Sequence, residues 1–337
     1  MSTHVMSLWE TWREPLVDLA RRLRDIARAS LVDADAAGRL ELASIANRGA
    51  GDWTFGIDLA PEREIARWHT ERARSAPLSV LTEDEGWRHL GPGPVTNFPA
   101  GAPRLVFDPI DGTRPLMTGL GSAWVSIALA TGDGPPTMDD VIAGVLVEIP
   151  PLGRSDSAAL VAGPAGPALQ AHQRLGEAPG VWRELTVDDD ARVDHGFFPL
   201  VRYHPLQRLA LARREEAFWR RVAELEGASL DVVWDDQVVC NVAQLVSVAR
   251  GHYRACIDAR ALLNEHERTS FPTSKPYDVA AALHVARAAG VALEGADGGR
   301  LDFPLDATTP IHFAAYHNAP TRARLAPHWL AALDETR

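Results

Sequence analysis

Carboxylates gather at four places in this chain, each at the edge of an apolar element. Asp58 closes the stretch Gly51-Asp52-Trp53-Thr54-Phe55-Gly56-Ile57-Asp58. Glu83-Asp84-Glu85 follows the apolar run Leu78-Ser79-Val80-Leu81. Asp108-Pro109-Ile110-Asp111-Gly112-Thr113 follows Leu105-Val106-Phe107, and Asp278 opens the helical stretch Asp278-Val279-Ala280-Ala281. Strand ends and helix starts are where ligand sites collect in α/β folds. Hard divalent cations such as Mg²⁺ take carboxylates, backbone carbonyls and water. In the 108–113 segment the two aspartates are three residues apart and Pro109 fixes the bend between them, so both side chains and the Ile110 carbonyl can face one point. A helix starting at Gly112-Thr113 would present free N–H groups that attract phosphate. One short segment thus offers two metal carboxylates, a carbonyl, a phosphate cradle and a hydroxyl. Singly, each piece has a plainer role. Asp-Pro and Asp-Gly are turn dipeptides, Glu83 to Glu85 would be a solvated turn, Asp58 a surface acid and Asp278 a helix N-cap. Their co-occurrence favours the chemical reading.

The elements that must position these groups can be read in outline. Leu16, Leu19, Leu23 and Ile26 repeat at helical steps over 15–29, with Pro15 suited to the first turn. A second helix is expected over 61–74, and short buried strands over 78–81 and 105–107. Residues 91–103 hold four prolines and three glycines and read as an irregular loop. Alternation at Val125, Ile127 and Leu129, a Gly132-Asp133-Gly134-Pro135 turn, and the strand at 141–149 continue as an antiparallel meander. Beyond the acidic triplet Asp188 to Asp190 the rhythm changes to helix 206–225, strand 230–234, helix 237–250, strand 253–257, helix 278–289 and strand 291–293. Such alternation predicts a mixed or parallel sheet covered by helices, hence an α/β (α+β mixed) fold. Two lobes are expected, 1–190 with an antiparallel sheet and most of the metal ligands, and 191–337 with a mixed sheet.

Composition narrows the partners. The chain has 337 residues, 46% of them apolar, with 34 Lys+Arg against 45 Asp+Glu and a net charge of −11. Loose binding to nucleic acid or anionic membrane draws on Lys and Arg neutralising phosphates, so neither partner is expected. No apolar run approaches the roughly 18 residues of a membrane span. The N-terminal residues show no export signal, and Cys240 and Cys256 read as reduced core thiols, so a cytoplasmic setting is expected.

Asp108-Pro109-Ile110-Asp111-Gly112-Thr113 resembles the signature of the inositol monophosphatase-like superfamily of Mg²⁺-dependent phosphatases, which includes fructose-1,6-bisphosphatase. Lys275-Pro276-Tyr277-Asp278-Val279-Ala280-Ala281 is similar to its second signature, Thr82-Glu83-Asp84 to its upstream acidic pair, and Gly51 to Asp58 to its early Gly-Asp-x-Thr stretch. The four motifs stand in family order. The resemblance implies a five-layered α-β-α-β-α sandwich, a homodimer, and hydrolysis of a small sugar or polyol phosphate by in-line attack of water. It implies two or three Mg²⁺ ions, one held by Glu83, Asp108 and the Ile110 carbonyl, another by Asp108, Asp111 and Asp278. Glu83 and Thr113 would orient the water, Asp58 would bond to Thr113, and Gly112, Thr113 and Arg114 would meet the phosphate. Phosphoryl transfer needs positioning and charge neutralisation more than covalent help, so this set suffices. A bisphosphate hydrolase, with Arg114 or Lys275 meeting a second phosphate, and a non-catalytic relative are the alternatives.

The chain departs from the family pattern at three places. Arg114-Pro115-Leu116-Met117 replaces the usual Asn and aromatic after Thr113. Asp236-Gln237 stands where inositol phosphatases have a Gly-Ser that recognises substrate hydroxyls, so inositol 1-phosphate is not the expected ester. Residues 259–274 are longer than the usual connection and read as a solvated loop, with a substrate-side lid as the alternative.

Overall fold

The computed structural model describes residues 3–48, 53–95, 97–202 and 204–335. The chain begins with helix α1 (Thr3–Asp33), which carries Pro15 in its interior rather than in its first turn. The reason is that the apolar stripe continues upstream: Trp9 is buried along with Leu16, Leu19, Leu23 and Leu31. Each such side chain contributes about 1.5–3 kcal/mol when buried, against roughly 3 kcal/mol for an interior proline. Helix α2 (Ala36–Leu42), the hairpin β1 (Ile45–Arg48) and β2 (Trp53–Phe55), and helix α3 (Leu59–Arg72) follow.

Strands β3 (Leu78–Thr82), β4 (Gly86–Leu90) and β5 (Arg104–Asp111), the short helix α4 (Thr113–Thr118), and strands β6 (Ala123–Ala130), β7 (Val141–Ile149), β8 (Asp156–Ala162), β9 (Ala168–Arg174) and β10 (Arg183–Leu185) complete the first half. They form one eight-stranded sheet in the order β10-β9-β8-β7-β6-β5-β3-β4. Neighbours are antiparallel except β3 and β5, which pair in parallel from Ser79 opposite Arg104 to Leu81 opposite Val106. That single parallel pairing decides where the chemistry sits. It brings the C-terminal ends of both strands, with Glu83 and Asp108, to the same edge of the sheet. β5 also runs further than the sequence suggests. The Asp-Pro-Ile-Asp segment stays in the strand, and the register with β6 shifts between Asp108 and Asp111, where proline interrupts the ladder.

The second half comprises β11 (His195–Phe197), α5 (Arg208–Glu226), β12 (Val232–Trp234), α6 (Asn241–Ala249), β13 (Ala255–Asp258), α7 (Arg260–Glu267), α8 (Pro276–Ala289), β14 (Ala292–Glu294), β15 (Phe313–Tyr316) and α9 (Ala319–Glu335). β15 lies between β13 and β14, antiparallel to both, and residues 197–201 run parallel beside β13 through bridges at Tyr253 and Ile257. β15 and α9 escape a reading by periodicity alone. So does α7: residues 260–267 are helix and not solvated loop, because Ala261, Leu262 and Leu263 are buried.

The layers follow from which faces are apolar. α1 and α3 cover one face of the large sheet, where Leu16, Leu19, Ile65 and Trp68 meet Phe107, Val125 and Ile127. α6 and α8 lie on its other face, and the three-stranded sheet packs outside them with Cys256, Phe313 and Ala315. α5 and α9 close the stack, packing Phe218 and Trp329 against β13 and β15. The result is a five-layered α-β-α-β-α sandwich. No helix among the described residues is long and apolar enough to cross a membrane.

Candidate active site

A cavity with an empty volume of about 830 Å³, its open mouth included, lies at the edge where β3 and β5 end. Asp58, Glu83, Asp108, Ile110, Asp111, Gly112, Thr113, Arg114 and Asp278 all line it. These nine candidate site residues of the sequence reading therefore meet in one place. Gly51 and Asp52 of the early motif lie outside the described residues.

Each acid is set by its own local structure. Asp108 Oδ1 accepts the Ile110 N–H at 2.9 Å, which folds the side chain back over the proline bend. Burial, then the charges of Asp111, Asp278 and Glu83, hold the Asp108 carboxyl well above the ordinary carboxylate range. The Asp111 carboxyl is pushed up to about 6, burial being partly offset by donors from α6. Its Oδ2 accepts the Val242 N–H at 2.5 Å and lies 3.1 Å from the Cys240 thiol. Asp278 is not the N-cap of α8. Pro276 starts that helix, Lys275 caps it, and Asp278 in the third helical position accepts the Lys275 N–H at 2.7 Å.

Gly112 joins β5 to α4 at φ +94°, and a Cβ there would stand 2.9 Å from the Cβ of Cys240. Only glycine fits both the angle and the space. Thr113 follows as the first residue of α4. Its hydroxyl lies 2.8 Å from the Ile110 carbonyl and 3.4 Å from Asp58 Oδ1. With one proton to give, it favours the carbonyl, so the bond to Asp58 that the resemblance implies is the longer of two. Asp58 also accepts the Phe55 N–H at 2.8 Å, and burial pushes its carboxyl up to about 7. Thr54 donates to Asp84, tying β2 to the turn after β3. The Arg114 guanidinium lies over the Phe55 ring, 4.9 Å from its centroid, rather than in a surface ion pair.

Several lining residues were not among the sequence candidates. Glu62 stands one helical turn beyond Asp58, a spacing that could have revealed it, and burial pushes its carboxyl up to about 8. Cys240 and Asn241 also line the cavity and carry no local signal, whereas Arg260, Pro272 and Thr273, which line it too, fall within residues 259–274, whose length sets them apart in the sequence. The departing pair Asp236-Gln237 and Lys275, the alternative contact for a second phosphate, stand outside the lining. Asp236 accepts the Tyr253 hydroxyl, and Gln237 donates to the Leu200 carbonyl and Asp235, so this pair braces the 197–201 segment. The Lys275 ammonium donates to the Thr308 carbonyl at 2.8 Å.

No protein-family model matches the sequence, and no curated protein matches it. Solved structures do. The extragenic suppressor protein suhB from Bartonella henselae superposes with a TM-score of 0.63 at 16% identity, over 95% of this chain and 98% of that one. An inositol monophosphatase–fructose 1,6-bisphosphatase gene product gives 0.61 at 16% identity, over 95% and 99%. Mycobacterium tuberculosis SuhB gives 0.59 at 16% identity, over 97% of both chains. The chain has the inositol monophosphatase fold. In that fold the lining brings the carboxylates of Glu83, Asp108, Asp111 and Asp278, whose repulsion an added cation would relieve, together with Ile110, beside the carboxyls of Asp58 and Glu62 and the Cys240 thiol. The donor chemistry therefore fits a hard divalent ion. Among the described residues no group of three or more His, Cys, Asp or Glu side chains is arranged as it would be around a metal.

Proposed function

We propose that the protein is a Mg²⁺-dependent phosphatase acting on a small phosphate monoester, a sugar or polyol phosphate. The observation that carries this reading is the convergence of Glu83, Asp108, Asp111 and Asp278 on one cavity, close enough for the other three to raise the Asp108 carboxyl. Glu83, Asp108 and the Ile110 carbonyl would hold one ion, and Asp108, Asp111 and Asp278 another. Bound divalent cations supply charge neutralisation for a phosphate dianion and acidify water. The protein's own residues do the rest. The Thr113 oxygen parks its proton on the Ile110 carbonyl and so presents lone pairs that can accept from a water. Glu83 is the carboxylate that takes that water's other proton contact. Asp58, beside Thr113, and Glu62 in the same lining keep that side polar, and burial raises both carboxyls. With a net charge of −11 the protein should bind phosphate esters poorly in chelator.

A bisphosphate hydrolase is the second reading, favoured by Arg114. Its guanidinium lines the cavity next to Thr113 and is exposed, so it could meet a second anionic group with a bidentate pair. Phosphate release across inositol 1-phosphate, hexose and polyol monophosphates, and hexose and nucleoside bisphosphates, with and without Mg²⁺, tests both. Mg²⁺-dependent release from at least one ester is expected, with inositol 1-phosphate inferior to it. Arg114→Ala should raise KM most for esters bearing two anionic groups. Release that ignores Mg²⁺ refutes the first reading, and an equal effect of Arg114→Ala on all esters refutes the second.

A further inference from the structure

A second cavity adjoins the candidate active site, with an empty volume of about 1100 Å³, its open mouth included. Separate elements build it: the last turn of α1 with Leu31, α2 with Leu42, α4 with Leu116 and Met117, and the turn after β7 with Leu152. Leu31 and Leu116 are buried, whereas Leu152 is 40% exposed. Two cations complete this apolar lining, Arg39 from α2 and Arg114 from α4. Arg114 belongs to the linings of both cavities. Both guanidiniums are exposed, and neither forms an ion pair among the described residues. Arg39 makes one long bond, Nε to the Ala34 carbonyl at 3.4 Å, and Arg114 lies over the Phe55 ring. No described acid lines this cavity, in a chain with 45 Asp+Glu and a net charge of −11.

The two halves of this lining ask for one kind of ligand. A small inorganic anion would leave the leucines wet, and a neutral hydrocarbon would leave both cations without a partner. An apolar concavity with a few placed polar groups is the ordinary form of a small-molecule site. Stacking on Phe55 uses the face of the Arg114 guanidinium and leaves its N–H edge for an anion. A planar carboxylate matches that edge with two parallel hydrogen bonds. In a protein this acidic, a monoanion is also opposed less than a phosphate dianion. We propose that the cavity binds an aliphatic carboxylate, with the chain on Leu31, Leu42, Leu116, Met117 and Leu152 and the head between Arg39 and Arg114. The site uses none of the carboxylates assigned to metal, so it stands apart from the phosphatase reading.

The test is isothermal titration calorimetry of the full chain in chelator with hexanoate, octanoate and octylammonium, on the wild type, Arg39→Gln and Leu152→Asp. Both replaced side chains are exposed, so the variants should keep the wild-type melting temperature. Octanoate should bind saturably, one per chain. Each buried methylene tightens binding about fourfold, so hexanoate should bind about tenfold more weakly or worse. Octylammonium, with the same chain and the opposite charge, should not bind. Arg39→Gln removes a charge-assisted pair and should weaken octanoate about tenfold or more. Leu152→Asp sets an acid beside the chain and should do the same. Absent binding, equal affinity for hexanoate, binding of octylammonium as tight as octanoate, or variants that bind like the wild type would each overturn the proposal. Sedimentation covers the other occupant: a dimer that Leu152→Asp splits and octanoate leaves intact would make this face an interface between copies, and the proposal would fail. Because the readout is binding, its failure leaves the phosphatase reading standing, and a protein that hydrolyses no ester leaves this site standing.

Discussion

Gly112→Ala is a single methyl placed where strand, helix and candidate site meet. Its cost has two separable origins. The backbone at φ +94° and ψ 33° lies in the left-handed region, which charges a residue with a Cβ roughly 1–2 kcal/mol. The methyl itself would lie 2.9 Å from Cys240 Cβ, 3.1 Å from its Sγ and 3.4 Å from Ala123 Cα. The first distance is shorter than real Cβ contacts and the second is tighter than nearly all of them, and forced overpacking of this kind typically costs about 1–3 kcal/mol. Together these give a destabilisation of about 2–5 kcal/mol. Only the steric part depends on Cys240. In a double-mutant cycle with Cys240→Gly, which deletes both clashing atoms, a coupling of about 1–3 kcal/mol should return and the backbone part should not. Urea unfolding of the four metal-free proteins, followed by tryptophan fluorescence, measures both terms. The same push moves the thiol off Asp111 Oδ2, which it now meets at 3.1 Å, so phosphate release should fall as well. A Gly112→Ala protein within about 0.5 kcal/mol of wild type refutes the packing argument. A large loss with a strictly additive cycle leaves the backbone alone responsible.

Asp108→Asn should abolish phosphate release while raising the melting temperature of the chelated protein at neutral pH, because a buried acid opposed by Asp111, Asp278 and Glu83 is gone; retained activity contradicts the metal assignment. Thr113→Ala should lower kcat by roughly 10² with KM held if its oxygen orients a water, whereas a loss of about 1 kcal/mol in stability with kcat intact would reduce it to a turn residue. Glu62→Gln tests the electrostatics of the same wall. The Glu62 carboxyl is raised from 4.5 to about 8, so the native state holds its proton more tightly than the unfolded chain, and the resulting stability is present below pH 4.5 and lost as pH rises to 8. At about 1.4 kcal/mol per pH unit the effect is bounded by a few kcal/mol. The variant should therefore be more stable than wild type at pH 9 in chelator but not at pH 4, and equal urea midpoints at pH 9 would refute the shift.

The residues closest to the proposed chemistry were legible because chemistry restricts residue type locally. Asp108, Ile110, Asp111, Gly112 and Thr113 sit within six positions, and Glu83 and Asp278 each end or open an apolar run, so spacing marks them as candidates while the resemblance to the inositol monophosphatase-like superfamily implies their roles. What spacing cannot carry is pairing. The parallel register of β3 and β5, on which the meeting of Glu83 and Asp108 depends, is written in no local pattern, and a meander reading would have placed both strands antiparallel. The supports of the site share that character. Cys240 reads as a core thiol until Gly112 is seen pressed against it, and Arg260 reads as a charge in a loop until Asp258, two residues away, is seen to fork with it in the core. Glu62 is the instructive intermediate, since its distance of one helical turn from Asp58 was visible and only its burial was not. A group that reacts must have one chemical type, and type is written in the sequence. A group that holds another in place need only fill a space or pair a charge that distant segments create, so its role becomes visible only once those segments meet.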